Sequence, residues 1–166
     1  GHPSFAATGG DGYTRANPRA GYLGLCASGQ AACNAKLIGI YDYSNEGSKG
    51  IDVAGHGSHV SAIAAGNAIA ANLHGMTADL TRNVSGVAPH ANLIMYKACN
   101  AKPVDPSRGD GTCAESWLVK AIDQAISLFV EMRVLPSASV ATVFMCRARY
   151  HIVRAALHTL SARLAP

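Results

Sequence analysis

Short apolar runs separated by polar, glycine-containing stretches make up most of the chain. Residues 36–41 form the first run that predicts a strand, and residues 91–98 form a second one, apolar enough for a buried sheet. Turn-forming residues dominate residues 1–35, and polar residues dominate 42–50 and 74–86. These three segments are therefore predicted to be loops.

Two longer segments predict helices. One begins at His56 and is expected to continue to about Leu73, unless it breaks near Gly66. Its residues are small or apolar on every side, which suits a buried helix. The other runs from Glu115 to about Phe129, with apolar residues three and four positions apart. The alternation of strand, helix, strand and helix predicts an α/β fold built in layers around a parallel sheet.

The composition changes after Ile126, and no glycine follows Gly111. Apolar residues at spacings of three and four between positions 143 and 164 would fit an amphipathic helix for a partner or a membrane surface. The alternative is that the tail is not a native part of the domain and results from a change of reading frame or splice site. That interpretation is preferred because the apolar stripe is short. We expect a domain over residues 1–126 and an atypical Arg/Ala/Leu-rich tail over 127–166.

Length and charge narrow the class of protein. The 166 residues are enough for one domain with its own core. Hydrophobic residues make up 49% of the chain, yet no apolar run is long enough to span a bilayer. Arginines in the tail supply most of the net charge of +4, and charges elsewhere almost balance. We therefore expect neither a membrane span nor a nucleic-acid partner, while the oligomeric state stays open.

Four of the five cysteines flank loops in pairs. Cys26 and Cys33 bracket a short loop, Cys99 and Cys113 bracket a longer polar one, and Cys146 has no evident partner. Pairs of this kind are typical of disulfides formed in an oxidising compartment, although four free thiols would fit the spacing too. Asn83-Val84-Ser85 matches the acceptor tripeptide for N-glycosylation, which also arises often by chance.

The strongest candidate for chemistry is His56, which Gly55 and Gly57 flank at the expected start of the first helix. Glycines leave room around the ring and permit backbone angles that other residues avoid. Histidine changes its charge near neutral pH, so an imidazole at this turn could exchange a proton with a bound molecule. His59 lies one turn further into the helix, where we expect a buried structural side chain that is hydrogen-bonded to the backbone.

Five segments, taken in order, resemble the subtilisin-like serine proteases. They are Gly1-His2-Pro3-Ser4-Phe5, the block from Cys33 to Gly39, the histidine motif from Gly55 to Gly66, the stretch from Val84 to Cys99, and Ala121 to Ile126. The resemblance implies a partial subtilisin-like three-layer α/β fold and a secreted serine endopeptidase that cleaves polypeptides. It implies no cofactor and no metal in the reaction.

The same resemblance assigns roles to single residues. His56 would be the general base that takes the proton of a catalytic serine, while an aspartate holds the imidazole. The family's aspartate precedes a segment like residues 1–5, so it would lie upstream; Asp42, at the end of the first strand, is the less favoured alternative. Asp52 is expected either to fix the turn before His56 or to border the cleft, and not to take part in the chemistry. No Gly-Thr-Ser-Met-Ala-like serine motif occurs in the sequence, so we expect the chain alone to be inactive.

The resemblance also points to one wall of a substrate cleft. The loop before the second helix would bind the substrate backbone by extended pairing, through Gly109, Gly111, Thr112, Cys113 and Ala114. The first residues show no secretory leader, and the chain reads as an internal piece of a longer protein.

Two hypotheses from other classes stay open. Asp52, His56 and His59 are four and three positions apart, so on one helix they could hold a zinc ion. No fourth ligand is evident, which argues against this site. The other alternative is a non-catalytic interaction module carried by the basic tail.

Overall fold

The computed structural model of the protein describes residues 2–100, 113–132, 139–145 and 156–159. After a 3₁₀ turn at Pro3–Phe5, its elements are β1 (Leu23–Gly24), β2 (Leu37–Asp42), α1 (His56–Ala65), β3 (Ile69–His74), β4 (Asp79–Val84), β5 (Asn92–Lys97), α2 (Glu115–Met132), β6 (Ser139–Met145) and β7 (Ala156–Thr159).

Five strands form one sheet in the order β1-β2-β5-β6-β7. Strands β1, β2, β5 and β6 run parallel to one another, and β7 runs antiparallel to β6. Strand β5 lies in the centre and is buried at all its residues, as expected for a nearly continuous apolar run in a parallel sheet. The α/β fold class is confirmed.

Alternate side chains of β5 point to opposite faces of the sheet, and each face is covered by one helix. Leu93 and Met95 pack in a cluster that includes Ala64 and Ala65 of α1. Ile94 and Tyr96 pack in a second cluster with Ala121 and Leu128 of α2. Since successive residues of a strand face opposite sides, α1 and α2 lie on opposite faces, which gives the three-layer arrangement.

Helix α1 ends at Ala65, at the position where a break was considered, and the expected continuation to Leu73 is wrong. Gly66 is already extended, with φ −61° and ψ 144°. Gly86 packs directly against this end, where a Cβ would lie 2.5 Å from the Gly66 nitrogen and 2.6 Å from the Ala62 oxygen. The close approach of the Gly86 backbone terminates the helix and requires a residue without a side chain.

Strands β3 and β4 form an antiparallel hairpin in the region expected to be the end of a helix and a loop. Ile69 pairs with Val84 at its base, and His74 pairs with Asp79 near its tip. All residues of β4 are exposed. The many alanines and asparagines of the hairpin give weak local preferences, so the cross-strand hydrogen bonds decide the structure.

The less favoured alternative, an amphipathic helix between positions 143 and 164, is not seen where the structure describes this segment. Strand β6 extends to Met145 in parallel register with β5, and β7 at Ala156–Thr159 pairs with β6. The β-branched and aromatic residues of β6, Val140, Thr142, Val143 and Phe144, favour a strand once the open edge of β5 offers backbone hydrogen bonds.

Both expected disulfides form, between Cys26 and Cys33 and between Cys99 and Cys113. Cys146 lies outside the described residues. Of the helices in the described ranges, neither α1 nor α2 is both long and apolar enough to cross a bilayer.

Candidate active site

His56 occupies the first position of α1, directly after a residue with unusual backbone angles. Gly55, the N-cap, has φ 75°, in the left-handed region that glycine adopts most readily. The His56 side chain is exposed, whereas Gly57 beside it is buried. Within the described part of the chain, the imidazole has no hydrogen-bond partner. The turn therefore presents the ring to solvent from a fixed backbone.

Asp52 caps the helix that carries His56. Its Oδ1 accepts a hydrogen bond of 3.0 Å from the Gly55 N–H, and its Oδ2 accepts one of 2.7 Å from the Ser58 N–H. Gly55 has no side chain that could do this, so the carboxylate satisfies two otherwise free N–H groups. Its negative charge also interacts favourably with the positive end of the helix dipole. The expectation that Asp52 fixes the turn agrees with these contacts.

Asp42 holds the loop that precedes residues 52–56, the turn that ends at His56 and is called the histidine turn below. Its carboxylate accepts hydrogen bonds from the Ser44 hydroxyl at 2.6 Å, the Ser44 N–H at 2.9 Å, the Gly50 N–H at 2.8 Å and the Ser48 hydroxyl at 3.1 Å. Burial alone would raise the pKa of Asp42, but these hydrogen bonds outweigh it and hold the pKa below its ordinary value. No contact between this carboxylate and His56 is found among the described residues.

A buried lysine anchors the same loop from the neighbouring strand. Lys97, at the end of β5, donates hydrogen bonds to Glu46 Oε2 at 2.6 Å, to Ser48 Oγ at 2.6 Å and to the Ile51 carbonyl at 2.7 Å. The side chains of Lys97 and Glu46 are only 4% and 8% exposed. Because Ile51 directly precedes Asp52, Lys97 fixes the start of the histidine turn.

This network was missed by the sequence interpretation, although one signal was present. Lys97 is the one charged residue in a largely apolar strand, and a buried cation needs a partner. Nothing in the sequence alone identified Glu46 as that partner, since the two are far apart along the chain.

A cavity of about 130 Å³ lies beneath α1, against β2 and β5. Its lining is mostly apolar, with Asp52, Ser58 and Ser61 as its polar side chains, and His56 is not part of it. The cavity therefore lies beside the histidine turn and not at the imidazole, and we assign no substrate to it. The lining consists of Phe5, Leu37, Ile40, Gly50, Asp52, Ser58, Ser61, Leu93 and Met95.

His59 and the metal hypothesis need correction. His59 is exposed, and not buried and hydrogen-bonded through its side chain as expected. Among the described residues, no three histidine, cysteine or acidic side chains form a group that could hold a metal ion. Asp52, His56 and His59 are all described, and the structure does not bring the three side chains together as the zinc hypothesis requires. The physical reason is that the Asp52 carboxylate turns back to the helix N–H groups.

The expected substrate-binding loop is described only at its end. Cys113 and Ala114 are half-buried and directly precede α2, and the disulfide from Cys113 ties this point to Cys99, just after β5. Gly109, Gly111 and Thr112 lie outside the described residues. The role of the loop in substrate binding stays a prediction.

A mostly parallel sheet covered by one helix on each face defines an α/β protein, and its first long helix begins at an exposed histidine flanked by glycines. Comparison with known proteins identifies its family. The profile of the Subtilase family matches residues 2–141, so the chain belongs to the subtilases, a family of serine-type peptidases. The matched range continues past residue 126 into β6.

Individual relatives agree with the family. Subtilisin-like protease SBT4.7 of Arabidopsis thaliana is 35% identical over 120 residues, which cover 71% of this chain and 15% of that protein. Subtilisin-like protease SBT3.17 of the same plant is 39% identical over 127 residues, covering 63% of this chain and 15% of that protein. The chain thus spans a small part of the length of these relatives. No solved structure was found to match it.

Proposed function

We propose that this chain supplies the general base of a subtilisin-like serine endopeptidase, and that His56 is that base. The observation that carries the proposal is the exposed imidazole at the first position of α1, on a turn fixed by Gly55 and Asp52. In the reaction, His56 accepts the proton of a serine hydroxyl as the serine attacks a peptide carbonyl. It then gives a proton to the leaving amine, while a carboxylate stabilises the imidazolium.

The serine and the aspartate come from sequence that this chain does not contain. Ser58 and Ser61 are poor substitutes for the nucleophile because both lie on the helix that His56 begins. Ser61 is buried, and its hydroxyl donates to the Gly57 carbonyl and contacts the Met95 sulfur. Attack requires a serine that faces the imidazole from another element. On its own, the chain is therefore inactive.

Asp42 acts in this proposal as a structural group, and not as the triad aspartate. Four hydrogen bonds from its own loop occupy both of its carboxylate oxygens. A triad aspartate must instead accept from the imidazole. The assignment of that role to an upstream residue is supported by the full occupation of Asp42.

The substrates are polypeptides, bound along the loop that ends at Cys113 and Ala114. The disulfide between Cys99 and Cys113 supports this role, because it anchors the loop to the end of the central strand. The disulfides also favour a secreted protein, since such bonds persist in oxidising compartments.

A chimeric enzyme tests the proposed function. The aligned 120-residue region of SBT4.7 is replaced by the matching part of this chain, and hydrolysis of a fluorogenic peptide is measured. The expected result is measurable endopeptidase activity that phenylmethylsulfonyl fluoride abolishes. A folded, secreted chimera without such activity would overturn the proposal. The isolated chain should not cleave casein in the same assay.

A further inference from the structure

One asparagine in the protein combines an acceptor sequence with an exposed, unengaged side chain. Of the eight asparagines in the sequence, only Asn83 is followed by the pattern X-Ser/Thr, as Asn83-Val84-Ser85. The middle residue is not proline, which would block modification of such a tripeptide. The sequence pattern alone is weak, so the proposal depends on where the hairpin places this residue.

Asn83 lies on β4, whose residues are all exposed, and its amide has no hydrogen-bond partner among the described residues. Other asparagines differ. Asn67 and Asn92 are 1% and 6% exposed, and their amides donate to backbone carbonyls. Asn34 donates to the Phe5 carbonyl. Those amides hold the fold together, whereas that of Asn83 is available.

The surroundings of Asn83 leave room for a bulky group. Its partner across the hairpin is Ala70, an exposed residue with a small side chain. Along the same face lie two polar pairs, one between Asn72 and Thr81 and one between His74 and Asp79, each at 2.9 Å. Side chains alternate between the faces of a strand, so Leu73, Leu80 and Val84 project from the other face. A group on Asn83 extends from the polar face and displaces no core residue.

We propose that Asn83 is an N-glycosylation site. The co-reactant is a polyprenyl-diphosphate-linked oligosaccharide. Nδ2 of Asn83 forms a bond to the anomeric carbon of the first sugar, the bond from that carbon to the diphosphate oxygen breaks, and the amide loses one proton. The polyprenyl diphosphate leaves. The two disulfides fit the lumenal compartment in which this transfer takes place.

The glycan also has a physical consequence for the hairpin. The apolar face is open, with Leu73 51% and Leu80 42% exposed, and both hairpin edges lack further strands in the described sheet. Exposed strand edges of this kind promote association between chains. A hydrated glycan near the base of β4 hinders approach along that edge, so the glycosylated chain stays soluble at concentrations where the bare chain associates.

Cell-free translation with microsomal membranes tests the site on the full chain, placed behind a cleavable secretory leader. Removal of the leader shows which chains entered the lumen, and only these are scored. The expected result is one glycan, seen as a mobility shift that an endoglycosidase removes. Enzymatic deglycosylation in heavy-oxygen water should then leave the mass label at position 83 in peptide mapping.

Substitutions distinguish a missing acceptor sequence from a misfolded chain as the cause of a missing glycan. Asn83→Gln and Ser85→Ala should each abolish the shift, whereas Ser85→Thr and the matched control Asn72→Gln should retain it. Glycosylated wild-type chains should form both disulfides to the same extent as Asn83→Gln. The proposal is overturned if leader-processed wild-type chains carry no glycan, or if the glycosylated fraction lacks the disulfides that Asn83→Gln forms. The proposed endopeptidase function is not involved in either readout.

Discussion

Asp52 determines how His56 is held, although it does not contact the imidazole in the structure. Its carboxylate bridges the Gly55 and Ser58 N–H groups, so the backbone on both sides of His56 is tied to one side chain. The left-handed Gly55 provides the angle of the turn, and the carboxylate provides its rigidity. Precision at the base of a serine peptidase depends on such supports, because small displacements of catalytic groups are costly.

Asp52→Ala should therefore loosen the start of α1. We expect a loss of about 1 kcal/mol, the usual effect of removing a helix cap, seen as faster amide hydrogen exchange at Ser58 and His59. Asp52→Asn keeps one acceptor and should have a smaller effect. Asp123→Ala, an exposed position within α2, is the matched control. Unchanged exchange at the start of α1 in Asp52→Ala would contradict the capping role.

Lys36 is a buried cation with no carboxylate among its hydrogen-bond partners. Its Nζ donates to the Pro89 carbonyl at 2.9 Å and to the Ala91 carbonyl at 2.7 Å, and Arg15 donates to Pro89 as well. Burial, and secondarily the positive charge of Arg15, lowers the pKa of Lys36 from 10.5 to about 7. The charged form is thus less stable in the folded chain than in the unfolded chain.

This shift makes stability depend on pH in a defined window. Between pH 7 and pH 10.5, the unfolded chain binds more protons at Lys36 than the folded chain, so the free energy of unfolding rises with pH, by at most about 1.4 kcal/mol per unit. Below that window Lys36 is charged in both states and contributes no slope. Urea denaturation across the range should show the rise, Lys36→Met should flatten it, and the exposed Lys120→Met should not. A slope unaffected by Lys36→Met would contradict the assignment.

At the scale of elements, the loop from Tyr43 to Ile51 connects the sheet to the histidine turn. Asp42 at the end of β2 and Lys97 at the end of β5 both bind it, and these two residues lie opposite each other in the sheet register. The ends of parallel strands meet at one edge of the sheet, which is where α/β proteins commonly place functional loops. The positions of the strands thus determine the position of His56.

The ion pair between Lys97 and Glu46 should be strongly coupled. Glu46→Gln alone should destabilise the chain by about 3 kcal/mol or more, because it leaves a buried lysine without a counter-charge. Lys97→Met alone should have a similar cost, whereas the double variant should lose less than the sum. Denaturation of the four chains in a double-mutant cycle measures this. Additive losses would show that the pair is not coupled.

The sequence predicted those elements whose local pattern and tertiary environment agree. Strands β2 and β5 and helix α2 carry clear apolar patterns and were located within a few residues. The end of α1 was not located, because the segment after Gly66 has three alanines among its first five residues and is compatible with a helix. Only the contact with Gly86 excludes the helix there. Strand β6 was missed because the segment after Ile126 was interpreted as foreign to the domain, and only pairing with β5 places it in the sheet.

The candidate active site was predictable only where its residues are close together in the sequence. His56 and Asp52 lie in one short segment, so their spacing could be interpreted directly. The buried pair of Lys97 and Glu46, and the contact of Lys36 with Pro89, join distant parts of the chain and require the fold.

At the scale of the whole molecule, many apolar side chains are left in contact with water. Ile51 and Val53 lie just before the histidine turn and are 65% and 67% exposed. Ile63 and Val87 are 56% and 75% exposed and are joined by a backbone hydrogen bond. Large apolar patches are uncommon on monomeric proteins and usually mark surfaces that other polypeptide covers.

The isolated chain should consequently associate or bind hydrophobic dyes. We expect strong fluorescence of such a dye and rising light scattering at micromolar concentration, because dye and chain cover the same apolar surface. The double variant Ile63→Lys/Val87→Lys should reduce both signals, and Thr81→Lys on the polar face of the hairpin should not. A monodisperse sample with a sharp, reversible melt would contradict this expectation.

The rate at which a fluorophosphonate labels the serine of the SBT4.7 chimera tests the central claim most directly, because this reaction needs the same proton removal as peptide attack. Loss of the triad histidine in a subtilisin costs about six orders of magnitude in turnover. His56→Ala should slow labelling to the background rate, while His59→Ala, one turn along the same helix, should stay within about tenfold of the parent, as expected of a residue outside the catalytic unit. Labelling that is unchanged in His56→Ala, or equally lost in His59→Ala, would contradict the account of His56 as the general base.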